Sequence, residues 1–127
     1  MKKIILTLAM CLIFVSANAL PLFPFFVDVA GNYNDGTPDE LQKLNINCKY
    51  WQSPKFYSKI TEADDFLNSV MPYSEYDIKR NESIINKDTR LITYESTMLN
   101  GCISTIYLVE LPDKVFYIGY KEDLPTK

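Results

Sequence analysis

The C-terminal half of the chain consists of short alternating segments joined by turn sequences, and this pattern restricts the fold more than any other feature. Asn100-Gly101 lies between two segments rich in β-branched and aromatic residues, which predicts a β-hairpin with a two-residue turn. The resulting register sets Tyr94 opposite Tyr107. Because side chains alternate along a strand, one sheet face is predicted to be apolar. That face comprises Ile92, Tyr94, Met98, Ile103, Tyr107, Val109, Phe116 and Ile118.

Two segments upstream of this sheet show helix signals. Apolar residues recur at helical spacing over residues 58–71, with Thr61 as the expected cap and Pro72 after the last turn. A second, shorter helix is predicted over residues 38–45, because Thr37-Pro38 is a typical helix start. The longer segment predicts the main helix of the fold.

Three further segments are predicted to be strands: Phe25 to Ala30, Ile46 to Trp51, and Tyr76 to Ile85. In the C-terminal half, turns at Asn100-Gly101 and Pro112-Asp113 join consecutive strands directly, which predicts an antiparallel sheet. The predicted class is α+β: one main helix packed on an antiparallel meander of three to five strands, plus a short N-terminal strand and helix.

The N-terminus has the three parts of an export signal. Two lysines precede an apolar run from Ile4 to Val15, and small residues follow it. The run is about a dozen residues, whereas a membrane-spanning helix needs about 20. We therefore predict a signal peptide over residues 1–19, cleavage between Ala19 and Leu20, and one small domain over residues 20–127. The alternatives are an uncleaved anchor and a lipoprotein modified at Cys11.

Export predicts a secreted or periplasmic protein with no membrane span after cleavage. Two of the 13 lysines and arginines leave with the leader, so 11 basic residues face 16 acidic ones and the net charge becomes −5. Nucleic-acid binding requires basic residues that replace counterions on phosphates. The acidic balance therefore argues against a nucleic-acid partner.

Cys48 and Cys102 form an even pair in the predicted mature chain, since Cys11 belongs to the leader. In an oxidising compartment such a pair predicts a disulfide. The alternatives are two free thiols or a metal pair, although a zinc site would lack histidine ligands.

Few reactive side chains are available for catalysis. The chain contains no histidine, which excludes Ser-His-Asp and Cys-His arrangements, and its four glycines are scattered. The acidic pairs Asp39-Glu40 and Asp64-Asp65 fall at predicted helix starts, where surface carboxylates are favoured. We predict no catalytic residue, no metal site and no cofactor. The chain is predicted not to be an enzyme, with an enzyme of unfamiliar type as an alternative.

Aromatic content is the positive feature that bears on function. Tyrosine and tryptophan are enriched at protein interfaces, although small domains also use them as core. The candidate interface residues are Tyr50, Trp51, Phe56, Tyr57, Tyr73 and Tyr76. The leading hypothesis is an exported binding protein, such as an inhibitor or toxin-immunity protein, whose partner is another exported protein with a basic surface. The alternative is a carrier of a small apolar ligand.

Overall fold

The computed structural model of this chain describes residues 22–53, 57–98 and 101–124. The predicted signal peptide, its cleavage site at Ala19 and Leu20, and the candidate interface residue Phe56 lie outside the described residues. Within the described ranges, no helix is long and apolar enough to cross a membrane.

The described residues form three helices and six strands. The helices are α1 (Phe23–Ala30), α2 (Asp39–Gln42) and α3 (Ile60–Val70). The strands are β1 (Asn34–Asp35), β2 (Tyr50–Gln52), β3 (Ile78–Ile85), β4 (Thr89–Thr97), β5 (Ile103–Glu110) and β6 (Phe116–Asp123). All six belong to one antiparallel sheet in the order β1-β2-β6-β5-β4-β3. The α+β class is confirmed, and the sheet has six strands instead of the three to five predicted.

The segment predicted as an N-terminal strand is the helix α1, so that prediction was wrong. A short, wholly apolar run does not distinguish a buried strand from a buried helix. Pro24 suits the first helical turn, and Gly31, at φ 74°, ends the helix with its amide bonded to the Val27 carbonyl. The fully buried side chains follow helical spacing: Leu22, Phe26, Val29 and Ala30.

The main helix was predicted correctly, and α3 covers Ile60 to Val70 of the expected 58–71. Its first turn is closed by Glu62, whose carboxylate accepts hydrogen bonds from the backbone amides of Ser58 and Lys59 and from the Ser58 hydroxyl. Those hydrogen bonds lower the pKa of Glu62. Thr61, the expected cap, lies inside the helix instead.

The register of the central strand differs from the prediction by one residue. Tyr94 lies opposite Ile106, not Tyr107, and Ile118 lies opposite Leu108. The observed pairing leaves three residues in the β4–β5 turn and three in the β5–β6 turn, instead of two in each. The third residue of each turn has a left-handed backbone conformation: Gly101 at φ 91° and Lys114 at φ 73°. A shift of one residue exchanges the faces of a strand. The predicted face of β4 and β6 is therefore confirmed, and that of β5 is reversed.

Both faces of the sheet bear an apolar cluster. The inner face, defined as the one that packs against α1 and α3, holds the larger core: Phe26, Ile60, Ala63, Leu67, Ile92, Tyr94, Ile106, Leu108, Ile118 and Tyr120. The outer face holds a smaller cluster at one corner, where α2 and the chain after it supply Leu41 and Ile46 against Val109 and Tyr117. The corner under α2 is therefore buried, although the sequence predicted only one apolar sheet face.

Candidate functional site

Three of the candidate interface aromatics pack against other rings. Tyr50 stacks on Tyr120 with 6.3 Å between ring centroids and an interplanar angle of 9°. Tyr33 approaches the same Tyr50 ring to 4.6 Å. These rings are part of, or pack against, the inner core. Tyr50 therefore contributes mainly to stability, since aromatic pairs at such distances are favourable beyond the area they bury.

Trp51 and Tyr57 are likewise partly buried, in two other places. Trp51 lies on the outer face, 5.7 Å from Tyr117. Tyr57 lies 6.3 Å from Phe66, beside α3. The structure therefore distributes these candidates over two clusters: Tyr50 and Tyr57 pack against the inner core, and Trp51 packs against the outer cluster.

Tyr73 and Tyr76 are the two candidates that remain largely exposed, at 43% and 41% of their surface. They belong to a run of five consecutive exposed residues, Tyr73–Asp77, between α3 and β3. Glu75 and Asp77 alternate with them, so the run presents two phenol rings and two carboxylates to solvent. We refer to residues 73–77 as the acidic tyrosine loop.

The acidic tyrosine loop has a defined conformation. The backbone amides of Glu75 and Tyr76 both donate to the Pro72 carbonyl, at 3.0 and 3.2 Å. The Tyr73 hydroxyl donates to the Asn68 side-chain oxygen in the last part of α3, at 2.5 Å. Partial burial raises the pKa of Tyr73, so the hydroxyl stays protonated and able to donate at neutral pH. The loop is thus held in a turn by hydrogen bonds from its own chain.

A buried polar cluster joins the elements on either side of this loop. The Asp64 carboxylate on α3 accepts two hydrogen bonds from the Arg80 guanidinium on β3, at 3.0 and 2.6 Å. It also accepts one from the Tyr94 hydroxyl on β4, at 2.6 Å. We call these three residues the Asp64 clamp. Because Asp64 precedes the loop and Arg80 follows it, the clamp fixes the distance between the two ends of the loop.

The charges of the clamp are stabilised by one another. Burial alone would raise the pKa of Asp64, but the hydrogen bonds from Arg80 and Tyr94 outweigh it and hold that pKa below its ordinary value. The same carboxylate raises the pKa of Arg80, and burial together with the bond to Asp64 raises that of Tyr94. Glu82 and Arg90 extend the cluster along the sheet at 2.6 Å. At neutral pH the clamp is therefore a carboxylate, a guanidinium and a neutral phenol.

Sequence reasoning missed the clamp because it assigned Asp64-Asp65 to the helix surface. Asp65 is exposed as expected, whereas Asp64 is buried. A usable indication was present: Asp64 falls four residues after Ile60 and three before Leu67, on the apolar stripe of the helix. A charged residue at a core position of an amphipathic helix calls for a charged partner.

Cys48 and Cys102 are not bonded to each other in the structure, and their disulfide stays a prediction. The Cys48 sulfur lies over Gly119 on β6. A Cβ atom added to Gly119 would be 2.5 Å from that sulfur and 3.7 Å from the Cβ of Tyr107. Cys102 directly precedes Ile103, the first residue of β5, which pairs with Asp123 of β6.

Two cavities at the surface are lined mainly by polar and charged residues. One, of about 430 Å³, lies at the start of α3 and is lined by Ser58, Lys59, Ile60, Thr61, Arg90, Glu110 and Lys114. The other, of about 420 Å³, is lined by Asn47, Cys48, Lys49, Lys121, Glu122 and Leu124. Sites for apolar ligands are typically enclosed by hydrophobic side chains. Each lining includes one aliphatic residue, Ile60 in the first cavity and Leu124 in the second.

Among residues 22–53, 57–98 and 101–124, no three histidine, cysteine, aspartate or glutamate side chains come together as a metal site. Comparison of the chain with protein-family models, with curated proteins and with solved structures finds no match. The function must therefore be argued from the described residues.

Proposed function

We propose that this chain is an exported binding protein that docks on another exported protein through the acidic tyrosine loop. An inhibitor and a toxin-immunity protein are the kinds of protein that fit this description. One observation carries the proposal: Tyr73–Asp77 is an ordered run of five exposed residues in which two tyrosines alternate with two carboxylates.

The energetic argument rests on the surface that the loop leaves available. More than two fifths of each tyrosine is exposed, and Val70, at the end of the neighbouring helix, is also exposed. Tyrosines buried at the centre of an interface are frequent hot spots, each worth about 2 kcal/mol or more. Because the turn hydrogen bonds already order the loop, little conformational entropy is lost when a partner binds.

Charge supports a basic partner. Glu75 and Asp77 lie between and beside the two tyrosines, and the predicted mature chain has a net charge of −5. Complementary charge accelerates association and favours partners with a positive surface. The proposed partner therefore presents an apolar recess for the tyrosines with lysines or arginines around it.

The Asp64 clamp supports this role indirectly. It joins α3 to β3, the two elements that deliver the loop, through two hydrogen bonds from Arg80, and joins α3 to β4 through one from Tyr94. A loop held at both ends presents its side chains in one arrangement, which favours affinity through preorganisation.

The test begins with capture of exported proteins from the source organism by the immobilised chain, followed by binding measurements with the purified partner. We expect Tyr73→Ala and Tyr76→Ala each to weaken binding by about 30-fold, which corresponds to ~2 kcal/mol. Glu75→Gln is expected to slow association and reduce its dependence on salt. The matched control is Val115→Ala, which truncates an equally exposed side chain on the β5–β6 turn.

Circular dichroism and thermal unfolding establish that each variant is folded. Capture of no specific partner contradicts the proposal. So does a purified partner that binds the Tyr73→Ala, Tyr76→Ala double variant as tightly as the unchanged chain.

A further inference from the structure

Strand β3 forms a long outer edge of the sheet. It has eight residues and pairs with β4 without interruption from Ile78 to Ile85. Within the described ranges no strand pairs with its other side, since β3 is last in the strand order. Natural edge strands are usually shortened, bulged, or interrupted by proline. β3 is not shortened, bulged or interrupted by proline, and its protection is limited to the charged residues Lys79, Arg80 and Glu82. β1, at the opposite edge, has only two residues.

The direction of the free backbone groups of β3 follows from its pairing with β4. The Asp77 carbonyl accepts from the Thr97 amide at 3.4 Å. In an antiparallel pair alternate residues face the same neighbour, so odd-numbered residues of β3 bond towards β4. The even-numbered residues direct their N–H and C=O groups to the open edge: Ile78, Arg80, Glu82 and Ile84.

We propose that a second copy of this chain pairs with the open edge of β3, antiparallel, across a two-fold axis at Asn81. This inference does not rest on the proposed function. In such a two-fold pair, each even-numbered residue of β3 lies opposite an even-numbered residue of the second copy, so only a few registers are possible. The register centred on Asn81 sets Arg80 opposite Glu82 of the second copy. A shift of one residue either way sets Arg80 opposite Arg80 or Glu82 opposite Glu82, and like charges directly opposite are destabilising.

Apolar contacts favour the same register. Ile84 is 61% exposed, an unusual position for a large apolar side chain in a strand. In the register centred on Asn81 it lies opposite Ile78 of the second copy, and Ile78 already packs against the inner core. The symmetry repeats this contact, so both Ile84 side chains are covered. Arg80 and Glu82 already form an ion pair at 3.1 Å within one chain, and their side chains retain 28% and 35% exposure. Across the axis the same two groups would meet again and form one charge network.

The first test is the molar mass of the purified protein by sedimentation, from about 1 to about 200 µM, because dimerisation depends on protomer concentration. We expect a monomer–dimer equilibrium, and we expect Ile84→Lys to raise its dissociation constant by at least about tenfold. Val115→Lys is the matched control, since Val115 is exposed on a different hairpin. A chain that stays monomeric over this range overturns the proposal, as does an Ile84→Lys dimer of unchanged strength.

The second test determines the register by cross-linking, in a Cys48→Ala, Cys102→Ser background. The two Asn81 residues would form a non-hydrogen-bonded pair with Cα atoms about 4.5 Å apart, a distance at which a disulfide forms. We therefore expect Asn81→Cys to give a covalent dimer on mild oxidation. Ser83→Cys lies exposed on the same face but about 13 Å from its symmetry mate, so it stays monomeric. Equal cross-linking of both variants, or of Ser83→Cys alone, overturns the proposed pairing.

Discussion

Replacement of Arg80 by methionine tests whether the Asp64 clamp stabilises the fold. The change removes both guanidinium hydrogen bonds from a carboxylate whose side chain is only 12% exposed, and it retains most of the apolar volume. Removing one partner of a fully buried ion pair costs about 3–5 kcal/mol. Arg80 is partly exposed and Tyr94 keeps its bond to the carboxylate, so we expect a loss of about 2–3 kcal/mol at neutral pH.

The pH dependence of this loss has a defined sign. The pKa of Asp64 is lowered in the folded chain, so the clamp stabilises fully above the unfolded pKa of about 3.9 and loses its contribution as the pH falls through the folded pKa. In the Arg80→Met variant the Asp64 carboxylate is buried without its cation, and protonation removes this unfavourable charge. The difference between the variant and the unchanged chain should therefore shrink on acidification.

Urea unfolding at about pH 7 and about pH 3.5 measures both effects. Lys79→Met is the control, because Lys79 is the exposed neighbour of Arg80 on the same strand and its loss should stay within about 0.5 kcal/mol. A double-mutant cycle with Asp64→Asn isolates the pair, with an expected coupling of about 1.5–3 kcal/mol. A loss below about 0.5 kcal/mol for Arg80→Met at neutral pH, or a coupling near zero, would refute this account of the clamp.

Three further predictions concern the outer face and one turn. Gly119→Ala should destabilise the fold by about 1–3 kcal/mol in urea unfolding, because its Cβ would lie 2.5 Å from the Cys48 sulfur, and adding Cys48→Ala should restore most of the loss. Burial raises the pKa of the Cys48 thiol to about 11, so little reactive thiolate is present at about pH 8. In a Cys102→Ser chain, we expect Cys48 to react with iodoacetamide over tenfold more slowly in the folded state than in urea, as followed by mass spectrometry. Equal rates in the two states would contradict this. Lys114→Gly should stabilise by about 0.5–1 kcal/mol in thermal unfolding, since Lys114 has φ 73°, whereas Lys114→Val should destabilise.

The parts of the fold that were predicted correctly are those set by local sequence. α3 has an amphipathic period and a terminating proline, and both act within the segment itself. α1 was misassigned because its short, wholly apolar run suits a strand or a helix equally, and the choice depends on the sheet beneath it. The inner and outer faces of β5 were exchanged because one residue of turn length, invisible in the β propensities, decides the register.

The candidate site was predicted in part, for a related reason. Tyr73 and Tyr76 stay exposed because they lie in a loop between two packed elements. Tyr50 and Trp51 are partly buried because β2 joins the sheet through β6, a pairing between residues some 70 positions apart that no local pattern encodes. The burial of Asp64 depends on its ion pair with Arg80, which lies on β3, far along the chain. The local pattern showed only a helix start, so it indicated the same exposed position for Asp64 as for Asp65.

Apolar clusters on both faces of the sheet have a consequence for its motions. Strands β5 and β6 lie between the two cores, with Ile106 and Ile118 packed on one side and Val109 and Tyr117 on the other. Local opening of this hairpin would expose both cores at once, so its amide protons should exchange with solvent only when the whole chain unfolds. In the monomer, at concentrations below those at which the proposed dimer forms, the β3 edge should exchange by smaller fluctuations, and the contrast between the two rates would map the cooperative unit of the molecule.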